Sequence, residues 1–394
     1  TGLTSCGQGA SQDRDWSPPT NAHYVAPNGG DGASGSQDAP WRTLQFAIDQ
    51  LQPGDVLIVE DGAYSETVRI TAAGTEGQPI TIRARTPGAA IIDAADARAA
   101  FSDGGDGLAH VVIEGLRIAG ARYGFDLSGR VTALTVRDCI FEQCDNAFEC
   151  DRGSSLRLEG VRVRECPNGI GLGVKGRSGI DGVTIVDCSA IRESDGEVDR
   201  NTDGFRIEGL CTGVHISGCE AAGFDDSGFD IKPDGAVMEA CLAHHNWDNG
   251  FKLWGDHARM VNCISRDNDD TGVKFEGAAE MYHCTVAYNR RASFRPEADD
   301  IQAITVQNSI LVGLIRVYLE RSGTGVFGGT HNLLYSAPGE LLWKTMDDEE
   351  RRYLLEEVAA GVLPLGPGTI VTPPQFVDGD ARDLRLAPGG PAVD

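Results

Sequence analysis

The chain has 394 residues, 41% of them hydrophobic, with 51 glycines and a formal net charge of −25 at pH 7. That length allows one long domain with a large core, and the glycine count suits a fold that turns often. The acidic balance argues against nucleic acid as a partner, because binding phosphate needs a surplus of Lys and Arg. It would also repel an acidic polymer unless cations intervene.

Residues 1–22 read as a flexible tether, with Gly, Ser, Asp and Pro predominating after Cys6. Leu3-Thr4-Ser5-Cys6 matches the end of a bacterial lipobox, which would make Cys6 a lipid anchor on a cell-surface protein. A chance match in a polar tail explains the same residues equally well. No apolar run in the sequence is long enough to span a bilayer. With the lipobox-like start, a secreted or cell-surface bacterial protein is expected, as a monomer. Residues 23–394 read as one domain. Its first element, Trp41 to Leu51, has helical periodicity and is followed by Pro53-Gly54. A helix there would cap the open first coil of a solenoid.

The solenoid is read from repeats. Cys219, Cys241, Cys263 and Cys284 are separated by 22, 22 and 21 residues, and Leu116, Cys139, Val161, Cys188 and Ser309 fit the same column. Three residues earlier stand Ile113, Val136, Leu158, Ile185, Ile216, Met238, Met260, Met281 and Val306. Two earlier again is another wholly apolar column, from Val111 to Ile304. A separation of two is the strand period. A repeat this short cannot bury its own core, so coils must stack. The expected fold is all-β: a single right-handed parallel β-helix with an N-terminal capping helix. Asn246, Asn268 and Asn289, five residues past the Cys column, predict an asparagine ladder at a turn. The cysteines themselves read mostly as buried thiols packed as small hydrophobes.

A second strand follows each turn, with Gly204-Phe205, Gly228-Phe229, Gly250-Phe251 and Gly272-Val273 in register. Its outward column is Asp126, Glu149, Gly171, Arg206, Asp230, Lys252 and Lys274. Regularity breaks between Cys188 and Cys219, where the interval rises to 31 and an acidic loop, residues 193–199, leads into Asn201-Thr202-Asp203-Gly204. Successive coils then bring Asp203, next Asp225, Asp226 and Asp230, and next Lys252 to neighbouring points on one face. Converging carboxylates repel unless a cation joins them, and hard oxygen donors favour Ca²⁺. A solvated acidic turn is the bland alternative. Trp254 stands beside this set as a sugar-stacking platform or a packed turn aromatic. Arg290, Arg291 and Arg295 form a basic segment that could hold substrate carboxylates or be a solvated loop. Towards the C-terminus, residues 346–358 have a helical pattern and read as an insertion.

Asp203-Gly204-Phe205, Asp226-Ser227-Gly228-Phe229-Asp230 and Asn249-Gly250-Phe251-Lys252-Leu253 resemble the calcium-site and catalytic-lysine segments of family 9 polysaccharide lyases, the pectate lyase type. The resemblance implies calcium-dependent β-elimination on a uronic-acid polymer. Asp203, Asp226 and Asp230 would bind Ca²⁺, with Asp225 a helper, and Lys252 would be the base. Arg206, Lys274, Trp254 and Arg290 would contact the acidic polysaccharide. Ser227 departs from the family, which carries a second Asp there. Two rivals stand beside this reading. Asp203 with Asp225 and Asp226 also resembles the carboxylates of inverting polygalacturonase-type hydrolases. A non-catalytic glycan-binding surface protein would use the same face only as a solvated one.

Overall fold

The computed structural model describes residues 18–193, 201–296, 304–319, 328–337, 339–346, 349–362 and 365–392. Cys6, most of the expected tether and residues 194–200 of the acidic loop lie outside the described residues. From Ala22–Val25 onward, strands pair in parallel with strands one coil later, giving sheets of 23 and 13 strands among the described residues, parallel throughout except for one antiparallel strand in the larger. Parallel connections returning to one sheet are right-handed, and the chain is the right-handed parallel β-helix that the repeat predicts. Some strands turn a corner unbroken. Tyr123–Arg137 pairs first with Ala99–Ser102 and then with Leu108–Glu114.

The corner before the Cys column is built from left-handed backbone. Asp138, Asp187, Asn262 and Asn308 have φ of 52°, 52°, 54° and 51°. Asp and Asn tolerate this region better than most side chains. Where the corner is Gly160 or Gly218, φ is 62° or 63°, and no Cβ penalty applies. Behind each corner the Cys column points inward. Cys139, Cys188, Cys219, Cys241, Cys263 and Cys284 are all buried, as unpaired thiols. Burial pushes the Cys139 thiol up to about 12, so it is neutral and packs as an apolar group.

The asparagine ladder forms as expected. Asn246 Nδ2 donates to Asn268 Oδ1 at 2.9 Å, and Asn268 Nδ2 donates to Asn289 Oδ1 at 2.8 Å. The same oxygens accept the backbone N–H of the preceding asparagine, each at 3.1 Å. On the adjoining strands Phe205, Phe229 and Phe251 stack face to face, with centroids 4.8 Å apart and planes within 6°. At the N-terminal end a helix, Leu44–Gln50, buries Leu44, Ala47 and Ile48, and Thr43 caps it by accepting Phe46 N–H at 3.3 Å.

The expected helix over 346–358 is corrected by the structure. Glu340–Met346 and Glu349–Leu354 form an antiparallel hairpin, and only Leu355–Ala359 is helical. Glu340–Met346 continues the sheet beside Ile315–Leu319. Pairing with an open sheet edge satisfies a whole row of backbone groups, which outweighs a few tenths of a kcal/mol per residue of helix preference.

Asn268 sits mid-ladder, so Asn268→Ala leaves the buried Asn246 N–H unpaired and the Asn246 amide with only its bond to Ala221 O. That costs roughly 2 kcal/mol. The urea midpoint is expected to fall, and an unchanged midpoint would contradict the ladder's role.

Candidate active site on one sheet face

Strand register decides which side chains meet. Phe205–Ile207, Ser227–Ile231, Asn249–Leu253 and Thr271–Phe275 lie side by side, pairing Arg206 with Asp230, Asp230 with Lys252 and Lys252 with Lys274. Coils are about 4.8 Å apart, so these outward residues form one row. Just before each strand is the turn, where Asp203 and Asp226 stand.

Asp203, Asp226 and Asp230 come together. Asp203 is 6% exposed and Asp230 4%. Burial, then the charges of Asp230 and Asp226, push the Asp203 carboxyl up to about 7. Its Oδ1 accepts Ser227 N–H at 3.1 Å. The Ser227 hydroxyl donates to Asp226 Oδ1 at 2.9 Å. Lys252 Nζ lies 3.9 Å from the same Asp226 oxygen. The lysine therefore faces the carboxylate cluster from the next coil.

Asp230 is held differently. Trp254 Nε1 donates to its Oδ1 at 2.7 Å, and Lys232 Nζ is 3.2 Å from its Oδ2. Burial opposes charge on Lys232, but Glu208 and Asp230 outweigh it and hold the ammonium above its ordinary range. Trp254 is 39% exposed. Lys252, Lys232 and Lys274 surround it, at 5.0, 5.6 and 5.8 Å from the ring centroid. Cation–π attraction fixes an indole in such a setting. Arg206 is tied to Glu149 at 2.9 Å and to Glu208 at 3.2 Å. Lys274 pairs with Glu276 at 2.7 Å.

Two of the expected residues stand apart. Asp225 turns to Arg192, at 3.6 Å, and to Thr202, whose Oγ1 accepts the Asp225 N–H at 3.2 Å. Arg290 is exposed, reaches Asp269 at 3.4 Å, and lines a separate cleft of about 560 Å³ with Tyr288, Tyr335 and Phe376. Among the described residues, no group of three or more Asp, Glu, His or Cys side chains is gathered as a ready metal cage. Sequence reading missed Lys232, although it lies two residues beyond Asp230. It also left Arg295 in a loop-like basic segment, whereas register pairs Arg295 with Lys274. The signal was there in Ser293-Phe294-Arg295, which repeats the inward-aromatic, outward-cation pattern without its glycine.

This face lies within a known architecture. Residues 23–298 match the family described as the Pel9A-like right-handed β-helix region, and the chain belongs to that family. Pectate lyase PEL9 of Emericella nidulans is 34% identical over 97 residues, which are 22% of this chain and 24% of that protein. An uncharacterised Bacillus subtilis protein, YwoF, is 40% identical over 60 residues, 15% of this chain and 13% of that protein. The matched stretches thus span a quarter or less of those relatives. Among solved structures, pectate lyase Pel9A superposes with a TM-score of 0.50 at 19% identity, covering 95% of this chain and 91% of that one. A GH136 lacto-N-biosidase from Eubacterium ramulus also reaches a TM-score of 0.50, at 12% identity, over 89% of this chain and 67% of its own. Both share the fold.

The Asp203 environment sets a pH dependence. A carboxyl raised from 3.8 to about 7 on folding gives stability that is present below pH 4 and is lost as pH rises through 7. The upper bound is about 4 kcal/mol. Urea unfolding in chelator is expected to show the wild type losing stability between about pH 4 and pH 7. Asp203→Asn should lose much less, and parallel profiles would contradict the cluster.

Proposed function

We propose that the chain is a calcium-dependent polysaccharide lyase that cleaves a uronic-acid polymer of the pectate kind by β-elimination. The observation that carries this reading is the approach of Lys252 to the cluster of Asp203, Asp226 and Asp230 across adjacent coils. Family membership and the likeness to pectate lyases support it.

The donor set suits a hard divalent cation. Burial, then two neighbouring carboxylates, disfavours charge on Asp203, a condition that a cation relieves and a solvated turn does not have. Asp203 and Asp226 would hold Ca²⁺, with the Ser227 hydroxyl beside them in place of a second Asp. Asp230 would join by exchanging Lys232 for the metal. Asp225, paired with Arg192, would act from behind. When bound, Ca²⁺ supplies Lewis-acid stabilisation of negative charge on a uronate carboxylate.

This chain's residues account for the remaining steps. Lys252, as a neutral amine, takes the C5 proton, which lies α to the sugar carboxylate. The C5–H pair becomes the C4–C5 double bond, the C4–O bond breaks, and the departing sugar oxygen takes a proton from solvent. Trp254 offers an apolar face for a sugar ring, and Lys274 lies beside the base in the next coil, with Arg206 two coils before it. A hydrolase reading is less well supported. It needs Asp225 beside Asp226 as acid and base, and Asp225 is engaged by Arg192 and Thr202.

Absorbance of unsaturated product on mixing with polygalacturonate and Ca²⁺ tests the reaction. Lys252→Ala should lower the rate by at least about a hundredfold, the usual scale for removing a general base. Its calorimetric Ca²⁺ affinity should stay near wild type, while Asp203→Ala and Asp226→Ala lose that binding. A Lys252→Ala variant that keeps the wild-type rate would remove Lys252 as the base.

A further inference from the structure

The cleft of about 560 Å³ beside Tyr288 stands apart from the Lys252 row. One wall comes from Val312 and Tyr335, partners in register where Ile310–Val312 and Leu333–Tyr335 end. Those strands belong to the 13-stranded sheet, whereas Lys252 stands in the 23-stranded one. The edge of the cleft is the turn between Thr285–Ala287 and Ala292–Pro296, which carries Arg290 and Arg291. That turn stacks on the turn of the Lys252 coil: Arg291 N–H donates to Asp270 O, and Asp270 N–H to Asp248 O, each at 3.0 Å. The cleft thus opens two coils past Lys252, roughly 10 Å along the axis, and around the corner from it. The opposite wall is the C-terminal segment. After Ile370–Val371 pairs with Leu333 and Leu334, Pro373, Pro374 and Phe376 return along the cleft. Arg382 pins this segment, bonding Asp267 at 2.7 Å and lying 4.3 Å from the centre of the Tyr288 ring.

Charge separates the cleft from the row as well. Three lining residues are charged, and each has a partner: Arg290 with Asp269 at 3.4 Å, Arg291 with Asp270 at 3.7 Å and Glu340 with Arg352 at 3.3 Å. The rest of the lining is uncharged. Tyr288, Tyr335 and Phe376 supply flat apolar faces. The Tyr335 hydroxyl and the Gln375 side-chain amide make no hydrogen bond to protein among the described residues. Aromatic faces with a few unspent polar groups suit a sugar ring, which pairs apolar C–H faces with a hydroxyl edge. A uronate gains little here, because Arg290 or Arg291 must leave its own carboxylate to meet another.

We propose that this cleft binds a neutral sugar, carried as a branch on the acidic polymer whose backbone lies along the Lys252 row. The inference rests on the lyase reading for the acidic backbone, and on the cleft alone for the neutral sugar. A backbone following the row stays over the 23-stranded sheet, so only a substituent reaches around the turn. Tyr335 and Phe376 stack on the branch sugar, and the Tyr335 hydroxyl and Gln375 amide bond its hydroxyls. The protein then favours branched acidic glycans over unbranched ones. The preference shows in KM rather than in kcat, because the cleft touches no reacting atom.

The test has a binding arm and a kinetic arm, both on the full chain. Calorimetry titrates galactotetraose and arabinotetraose as neutral probes, with trigalacturonate as the acidic comparison. At least one neutral probe should bind saturably, with an affinity that added salt leaves unchanged, since no charge is shared. Ala337→Trp fills the cleft from an exposed lining position and should abolish that binding. Tyr335→Phe/Gln375→Ala removes only the polar handles and should weaken it at least about tenfold, the scale of two lost hydrogen bonds. In the kinetic arm, Ala337→Trp should raise KM on pectin bearing galactan and arabinan branches, and leave KM and kcat on unbranched polygalacturonate as in the wild type. Three results would each overturn the inference: no saturable binding of either neutral probe, neutral binding that Ala337→Trp leaves intact, or trigalacturonate bound more tightly in the cleft than both. Absence of unsaturated product from any polyuronate would sink the lyase reading, while the neutral titrations would still decide what the cleft holds.

Discussion

Parallel hydrogen bonding between coils holds each residue about 4.8 Å from its counterpart in the next coil, and the candidate site exists through that constraint. Asp203, Asp226, Asp230 and Lys252 come from three coils, yet register brings them to one point. No single coil carries enough chemistry alone. The interior enforces the register: the asparagine ladder and the stacked Phe205, Phe229 and Phe251 each repeat at the coil spacing. A slip of one residue would turn the inward phenylalanines outward and scatter the carboxylates. Core and site are thus two faces of the same strands.

Electrostatics on this face is a balance held under tension. Three carboxylates at low exposure cost desolvation and mutual repulsion, seen in the raised carboxyl of Asp203. The protein offsets part of this with its own cations. Lys232 and the Trp254 N–H satisfy Asp230, and Lys252 approaches Asp226. Arg206 does the same for Glu149 and Glu208. Such internal pairing makes the cluster sensitive to any added cation. A metal at Asp230 would displace Lys232, and Trp254, bonded to the same carboxylate, would sense the exchange. The indole presents a half-exposed apolar face beside the cluster and reports the charge state next to it.

Much of the fold was legible in the sequence because a solenoid writes its geometry as a period. The Cys column, the asparagine ladder and the Gly-Phe strands gave both coil length and the inward face, and the observed register matches them position for position. Legibility failed where the pattern failed. Arg295 keeps the period, standing as far past Cys284 as Lys274 does past Cys263, but its strand lacks the glycine of the Gly-Phe pattern, and its place in the row is seen in the strand pairing. Residues 346–358 carry a local helical pattern, and only the open sheet edge beside Ile315–Leu319 reveals that part of them forms a hairpin. In the site, residue types placed Asp203, Asp226, Asp230 and Lys252 together. Side-chain direction was invisible to spacing alone. Asp225 is adjacent to Asp226 in sequence but faces Arg192, and Arg290 belongs to the cleft beside Tyr288.

The account's central claim is that stacked coils gather oxygen donors for a hard cation beside Trp254. Terbium luminescence tests it most directly, since Tb³⁺ substitutes for Ca²⁺ and is sensitised by an indole only at close range. The account predicts sensitised emission on adding Tb³⁺, competed away by Ca²⁺, lost in Asp203→Ala and Asp226→Ala, and sharply reduced in Trp254→Phe. Emission that survives Asp203→Ala and Asp226→Ala unchanged, or a wild type that gives none, would contradict it.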